Sequence, residues 1–241
     1  MKIITTSWDD GHPADHRIAE LLDKYHLPGT FYIPLTNQEH DVMPESEIVS
    51  LSKKFEIGAH TVNHIRINKV SNELFDAEIK GSYVWLKQLL GEAPTSFCFP
   101  GGIYNKEAVD YAIQTGFKII RTTELLNPWI EKNELLVPTT LQVYPHSSFT
   151  YYKHLVKRVK INSLLLYMKS GNVSDLQKLL KYYLDYVQEH GGCFHLWGHS
   201  WEIEENNLWH TLEDMFNALS DIEGMTYINN KDLWTCKNKL S

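Results

Sequence analysis

Four short segments carry most of the reactive side chains: Asp9-Asp10-Gly11, His60-Thr61-Val62-Asn63-His64, Cys98-Phe99-Pro100-Gly101-Gly102 and His195-Leu196-Trp197-Gly198-His199. His60 and His64 stand four positions apart, so one helical turn would bring both imidazoles to the same side. Two imidazoles and a carboxylate form a three-ligand metal site that leaves a position open for water or substrate. The plainer alternative for this pair is two histidines satisfied at the surface or in the core. Asp9 and Asp10 repel each other, and a cation or a proton resolves that repulsion. A metal would take one carboxylate and leave the other as a base. The competing reading is a turn, with Asp10 capping a helix that begins at Pro13. Pro100-Gly101-Gly102 can present a backbone N–H to a developing oxyanion, or be an ordinary loop. His195, Trp197 and His199 alternate along one face of a strand. His199 ends that strand, where a proton donor to a leaving group could stand, and a merely packed face is the alternative.

Each segment follows a β-prone run, and helices separate the runs. Strands are expected at 3–8, Thr30–Ile33, 55–59, 96–99, 117–121 and 193–198. Helical periodicity predicts a helix from Pro13 through Tyr25, one around 45–53, a long one over 71–90, and another over 106–115. The clearest helix is 174–190, where Ser174 and Gln177 make a capping-box pattern. Strands alternating with helices imply a parallel sheet covered by helices, either a barrel or an open doubly wound sheet. Parallel α/β folds place their chemistry just after strands, where all four segments lie. Residues 122–160 give no secure assignment. One domain spanning 1–241 is expected, with no repeat or linker to divide it.

The chain has 241 residues, enough to bury a core without disulfide or metal staples. Its 23 Lys+Arg against 30 Asp+Glu leave a net charge of −7, which disfavours nucleic acid and anionic membrane as partners. Three scattered cysteines are too few for a disulfide framework. No apolar run approaches the ~18 residues of a membrane span, and the N-terminal residues do not read as a secretion leader, so a cytoplasmic location is expected. Nothing in the residues fixes the oligomeric state.

Taken together the motifs resemble the polysaccharide deacetylases of the NodB-homology type, carbohydrate esterase family four. Ser7-Trp8-Asp9-Asp10-Gly11 is similar to the family's first motif, and His60-Thr61-Val62-Asn63-His64 matches its second in full. Phe97-Cys98-Phe99-Pro100-Gly101-Gly102 resembles the third through Pro100 and Gly102, and His195 through Glu202 resembles the closing motif through Trp197 and His199. The resemblance implies a distorted (β/α) barrel of about seven parallel strands. It assigns Asp10, His60 and His64 to one divalent ion, zinc first, with cobalt, nickel or manganese as alternatives. Asp9 would be the general base, His199 the general acid with His195 as its competitor, Gly101 an oxyanion donor, and Trp197 the wall of the acetyl pocket. The implied activity is removal of an N-acetyl or similar acyl group from a sugar or oligosaccharide. Alternatives are a hydrolase of another non-peptide C–N bond, with or without metal, and a catalytically silent carbohydrate-binding relative. Cys98 departs from the motif, since the family has there an arginine that pairs with the base. Arg121, at the end of a neighbouring strand, is the candidate replacement, and its loss is expected to cut turnover far more than loss of a surface arginine such as Arg158. Trp201, Trp209 and Tyr144 are aromatic candidates for shaping a cleft.

Overall fold

A computed structural model of the chain describes residues 1–68, 71–130 and 135–238. Nine strands form one sheet: β1 (Lys2–Asp9), β2 (Thr30–Ile33), β3 (Glu56–Ala59), β4 (Ser96–Cys98), β5 (Ile119–Arg121), β6 (Leu136–Val137), β7 (Leu141–Gln142), β8 (Gly192–His199) and β9 (Thr226–Tyr227). Their order is β6-β5-β4-β3-β2-β1-β8-β7, with β9 pairing β1 off that path. Every pairing is parallel. The sheet curls into a deformed half-barrel, and β6 and β7 are its edges. Eight strands follow the path where the sequence implies about seven. β6 and β7 span two residues each inside the unreadable 122–160 stretch, too short for any alternation to show.

β1 and β2 read as apolar and β-branched runs because both faces are covered: β1 is buried from Ile3 onward and β2 throughout. The helices are α1 (Asp15–Lys24), α2 (Glu45–Leu51), α3 (Asn72–Phe75), α4 (Gly81–Leu90), α5 (Lys106–Thr115), α6 (Ser148–Lys157), α7 (Ile161–Lys169), α8 (Leu176–His190), α9 (Ser200–Glu205), α10 (Trp209–Leu219) and α11 (Asn230–Asn238). α1 buries Ile18 and Leu22. α8 (Leu176–His190) lays Leu176, Leu179, Leu180, Tyr183, Leu184 and Val187 against β1 and β8. Each such fully buried aliphatic or aromatic side chain stabilises the fold by about 1.5–3 kcal/mol. The cap of α8 is Asp175, whose Oδ1 accepts from the Lys178 N–H at 2.9 Å, rather than the expected Ser174. No helix among the described residues is long and apolar enough to cross a membrane.

The helix expected as one piece over 71–90 is broken. α3 (Asn72–Phe75) passes into a π-helical turn at Asp76–Lys80 before α4 (Gly81–Leu90), which ends at left-handed Gly91. Within the π turn Glu78 is buried, and its Oε2 accepts from the backbone N–H groups of Val62 at 3.0 Å and Asn63 at 2.9 Å. Its Oε1 accepts from Asn63 Nδ2 at 2.6 Å. The extra residue of a π turn re-aims a side chain; here it aims a carboxylate into the loop that joins His60 to His64.

Candidate active site

β1 delivers Asp9 at its C-terminal end, and the chain then turns through Asp10 at φ 79° and Gly11 at φ 63°. A Cβ on Gly11 would stand 2.6 Å from Ile33 Cγ2, so only glycine lets the turn pack on β2. α1 begins at Asp15 with no side-chain cap, so Asp10 does not serve as its cap. β3 delivers His60. Residues 60–64 do not form the helical turn that their spacing suggests. Instead Thr61 at φ 66° and His64 at φ 52° fold the loop back on itself, and Glu78 pins its two middle N–H groups. Left-handed non-glycine residues cost about 1 kcal/mol or more each and persist where the surroundings over-determine them. Asp10, Thr61 and His64 are three of them in one site.

The result is a convergence of lone pairs. His60 Nδ1 donates to the Cys98 carbonyl at 2.8 Å, which turns Nε2 toward the site as the ring's metal-ligating nitrogen. That Nε2 lies 3.4 Å from Asp10 Oδ1, and His64 Nε2 lies 2.9 Å from the same oxygen. Ligand atoms about 2.0–2.2 Å from a tetrahedral ion stand roughly 3.4 Å apart, so the triad has the span of a metal site. Asp10 Oδ1 is buried without a hydrogen-bond partner among the described residues. The other oxygen, Oδ2, accepts from Trp201 Nε1 at 2.8 Å, and His40 stacks on that indole at 4.0 Å between ring centres. Burial pushes the Asp10 carboxyl up, yet the facing His60 and His64 and the charge of His199 outweigh it and hold it well below the usual range. A divalent ion therefore fits these three residues. A second set, Asp9, His60 and Cys98, is equally compact, but burial pushes the Cys98 thiol up and a guanidinium already occupies Asp9.

That guanidinium belongs to Arg121 of β5, whose Nη2 donates to Asp9 Oδ1. Arg121 is fully buried, with its charge centre 5.0 Å from the Tyr32 ring and 4.8 Å from the Trp197 ring. Burial works against its charge, but Asp9 more than compensates and raises its pKa. In the pairing of β4 with β5, Cys98 and Arg121 are register partners. The cation thus comes from the next strand at the same height as Cys98. Arg158 is not the surface residue it seems in the sequence, since it is half-buried in a concavity beside Thr122.

His199 is the register partner of Asp9 across β1 and β8, so the two stand side by side on the rim. Its Nδ1 lies 3.2 Å from Glu202 Oε2, and Gln142 Nε2 holds that oxygen at 2.9 Å. Burial alone would lower the His199 pKa, but Glu202, Asp10 and Asp9 push it up to about 9. His195, on the same strand, differs in every respect. It is fully buried, accepts from Ser7 Oγ at 2.9 Å and donates through Nδ1 to the Pro138 carbonyl at 3.2 Å. Burial and the charge of Arg121 lower its pKa to about 3, so it stays neutral. Trp197 is buried between Arg121 and His199. Gly101 is exposed at φ 62° in the turn Pro100–Gly102, alongside the Arg66 side chain. Of the aromatic candidates, Trp201 reaches Asp10, Trp209 is buried under Arg17, and Tyr144 packs near His146.

Sequence reasoning missed Glu78 and Glu202. Glu202 was legible as a carboxylate three residues after His199; Glu78 was not, because only the π turn aims it.

A family model described as polysaccharide deacetylase matches residues 1–120. Peptidoglycan-N-acetylglucosamine deacetylase of Bacillus cereus is 23% identical over 192 residues, covering 74% of this chain and 80% of that protein. YxkH of Bacillus subtilis, a polysaccharide deacetylase by name, is 24% identical over 126 residues, which are 51% of this chain; the match takes in only 45% of that longer protein. The solved structure of a family 4 acetyl xylan esterase from Clostridium thermocellum, in complex with a cobalt ion, aligns with a TM-score of 0.59 at 14% identity. That alignment covers 98% of this chain and 91% of the esterase, and at such identity it speaks for the fold alone. With the motifs in order on one curled parallel sheet, the chain belongs to the polysaccharide deacetylase family.

Proposed function

We propose that the protein is a metal-dependent hydrolase that removes an N-acetyl or similar acyl group from a sugar or oligosaccharide, leaving acetate and a free amine. The observation that carries this reading is the convergence of Asp10, His60 and His64 beside an arginine-held Asp9 and a charged His199. Asp10, His60 and His64 would hold a divalent ion, zinc first among the candidates, which would supply Lewis acidity toward the acyl carbonyl and the attacking water. Asp9, oriented by Arg121, accepts a proton from the attacking water. The Gly101 N–H holds charge developing on the carbonyl oxygen. His199, anchored through Nδ1 on Glu202, turns Nε2 to the departing amine and protonates it. Trp197 offers an apolar wall for the acyl methyl. His195 has no place in this scheme except to support the strand.

Elemental analysis of the purified protein and of His60→Ala, with hydrolysis of a chromogenic acetyl ester before and after chelation, tests the reading. About one divalent ion per chain, lost in the variant together with hydrolysis, is expected. Hydrolysis that survives chelation points to metal-free chemistry. Oligosaccharide binding without any hydrolysis points to a silent relative.

A further inference from the structure

Beyond the acyl site, the same rim of the sheet holds a concavity of about 270 Å³ lined by Tyr104, Glu124, Asn127, Trp129, Arg158 and Lys160 among others. None of the catalytic residues lines it, and the chain ties the two places together. Thr122 in its wall follows Arg121 directly, and Tyr104 lies two residues beyond the Pro100–Gly102 turn. The two places share a partition. A Cβ on Gly102 would fall 1.9 Å from Thr123 Oγ1, and that same hydroxyl accepts from Arg158 Nη2 at 3.2 Å.

Charge inside the concavity is unbalanced. Glu124 is nearly buried, and its carboxylate is already committed, with Oε2 2.9 Å from Lys160 Nζ and Oε1 accepting from Asn127 Nδ2 at 2.6 Å. Lys160 thus answers Glu124, and Arg158 remains as an unmatched cation. Its one side-chain bond among the described residues is to the neutral Thr123 hydroxyl, which leaves most of its five N–H donors unused. In a chain of net charge −7, a positively charged hollow is a local exception. Of the rest of the lining, Trp129 and Tyr104 carry the ring faces a sugar would stack on, while the Asn127 amide is committed to the Glu124 carboxylate and the Trp129 N–H. The volume is close to the lower end of small-molecule sites, about 300 Å³, which is room for one sugar ring.

We propose that this concavity is a second subsite that takes a sugar unit bearing a carboxylate or a phosphate, adjacent to the unit that loses its acyl group. The proposal rests on the deacylase reading for its adjacency, and on the concavity itself for its ligand chemistry. A guanidinium recognises either anion through paired N–H donors, so the shared feature is the negative substituent.

Calorimetric titration of the whole protein with glucuronate, glucose 6-phosphate and glucose at low salt tests it directly. Expected is tighter binding of at least one anionic sugar than of glucose, by about tenfold or more, the worth of one charge-assisted hydrogen bond. The preference weakens as salt rises, vanishes in Arg158→Gln, and survives in part in Arg158→Lys. Whichever of the two anionic sugars binds names the substituent. Trp129→Ala weakens all three sugars alike, separating the ring platform from the charge. Equal affinity for all three sugars, or a preference that survives Arg158→Gln, overturns the proposal. Hydrolysis of an N-acetylated oligosaccharide is followed in parallel. Anion-selective binding without hydrolysis defeats the deacylase reading but not the anionic subsite, and hydrolysis without anion selectivity does the reverse.

Discussion

The two ends of one sheet both bury carboxylates, and they treat them oppositely. At the N-terminal end, Glu56 of β3 accepts from Thr30 Oγ1 at 2.7 Å, Ser96 Oγ at 2.5 Å and the Lys231 N–H at 2.9 Å. Beside it Asn230, the first residue of α11 (Asn230–Asn238), bonds Thr5, Thr30 and Tyr32. Every member has a partner supplied by the fold. At the C-terminal end, Asp10 Oδ1, Trp197 Nε1, and Arg121 Nε and Nη1 are buried without one among the described residues. Buried polar atoms left unpaired cost about 1–3 kcal/mol each. The fold answers every polar group at the first end and leaves several unanswered at the second.

Breaking that contrast gives an ordered set of outcomes. Asp9→Asn removes the proposed base and is expected to cut ester hydrolysis by about 10²–10⁴-fold, with metal content unchanged. Arg121→Ala strands Asp9 in the interior. Unfolding in urea should show a loss of about 3–5 kcal/mol, and turnover should fall far more than in Arg17→Ala, whose side chain is 55% exposed. Equal turnover in the two variants would remove Arg121 from the mechanism. Trp201→Phe deletes the N–H that holds Asp10 Oδ2, and metal titration should show affinity weakened by about 10–100-fold.

A smaller effect is expected on the pH profile. The His199 pKa stands above its ordinary value; with His199 as the proposed acid, the rate is expected to hold through neutral pH and to decline as pH rises through about 9. By linkage, the stability this charge contributes is complete below ~6.5 and is lost as pH climbs through the raised value. Glu202→Gln removes the strongest raising partner and should draw the falling limb toward ~6.5; an unmoved limb assigns it to another group. At the opposite end of the sheet, Glu56→Gln should lower stability by about 1–2 kcal/mol while the rate stays within twofold. A large loss of rate there would erase the division of labour between the two ends.

What the sequence shows of this design follows from how local each feature is. β2 and α5 (Lys106–Thr115) were legible to the residue because one uninterrupted pattern spans each, a β-prone run closed by turn residues for β2 and a helical period for α5. The grouping of Asp10, His60 and His64 was legible because its members sit in short motifs, although the way they meet was not. Helical spacing suggested a turn for His60 and His64, and left-handed Thr61 together with a distant Glu78 supplied the convergence instead. The choice between His195 and His199 depends on what faces each ring, namely Ser7 and Pro138 against Glu202, and two of those three lie far along the chain. The edge strands β6 and β7 offered two residues each, fewer than one full alternation.

The register that seats Cys98 opposite Arg121 bears on how such chains diverge. Neighbouring parallel strands run about 4.8 Å apart, so a long arginine can serve the same carboxylate from either of two seats. Where the resemblance puts the arginine on β4, this chain carries it on β5. Motif strings compared along the chain register this exchange as a loss. Compared across the strands, it is a relocation, and a member of the family is better judged by which side chain occupies the seat than by which strand provides it.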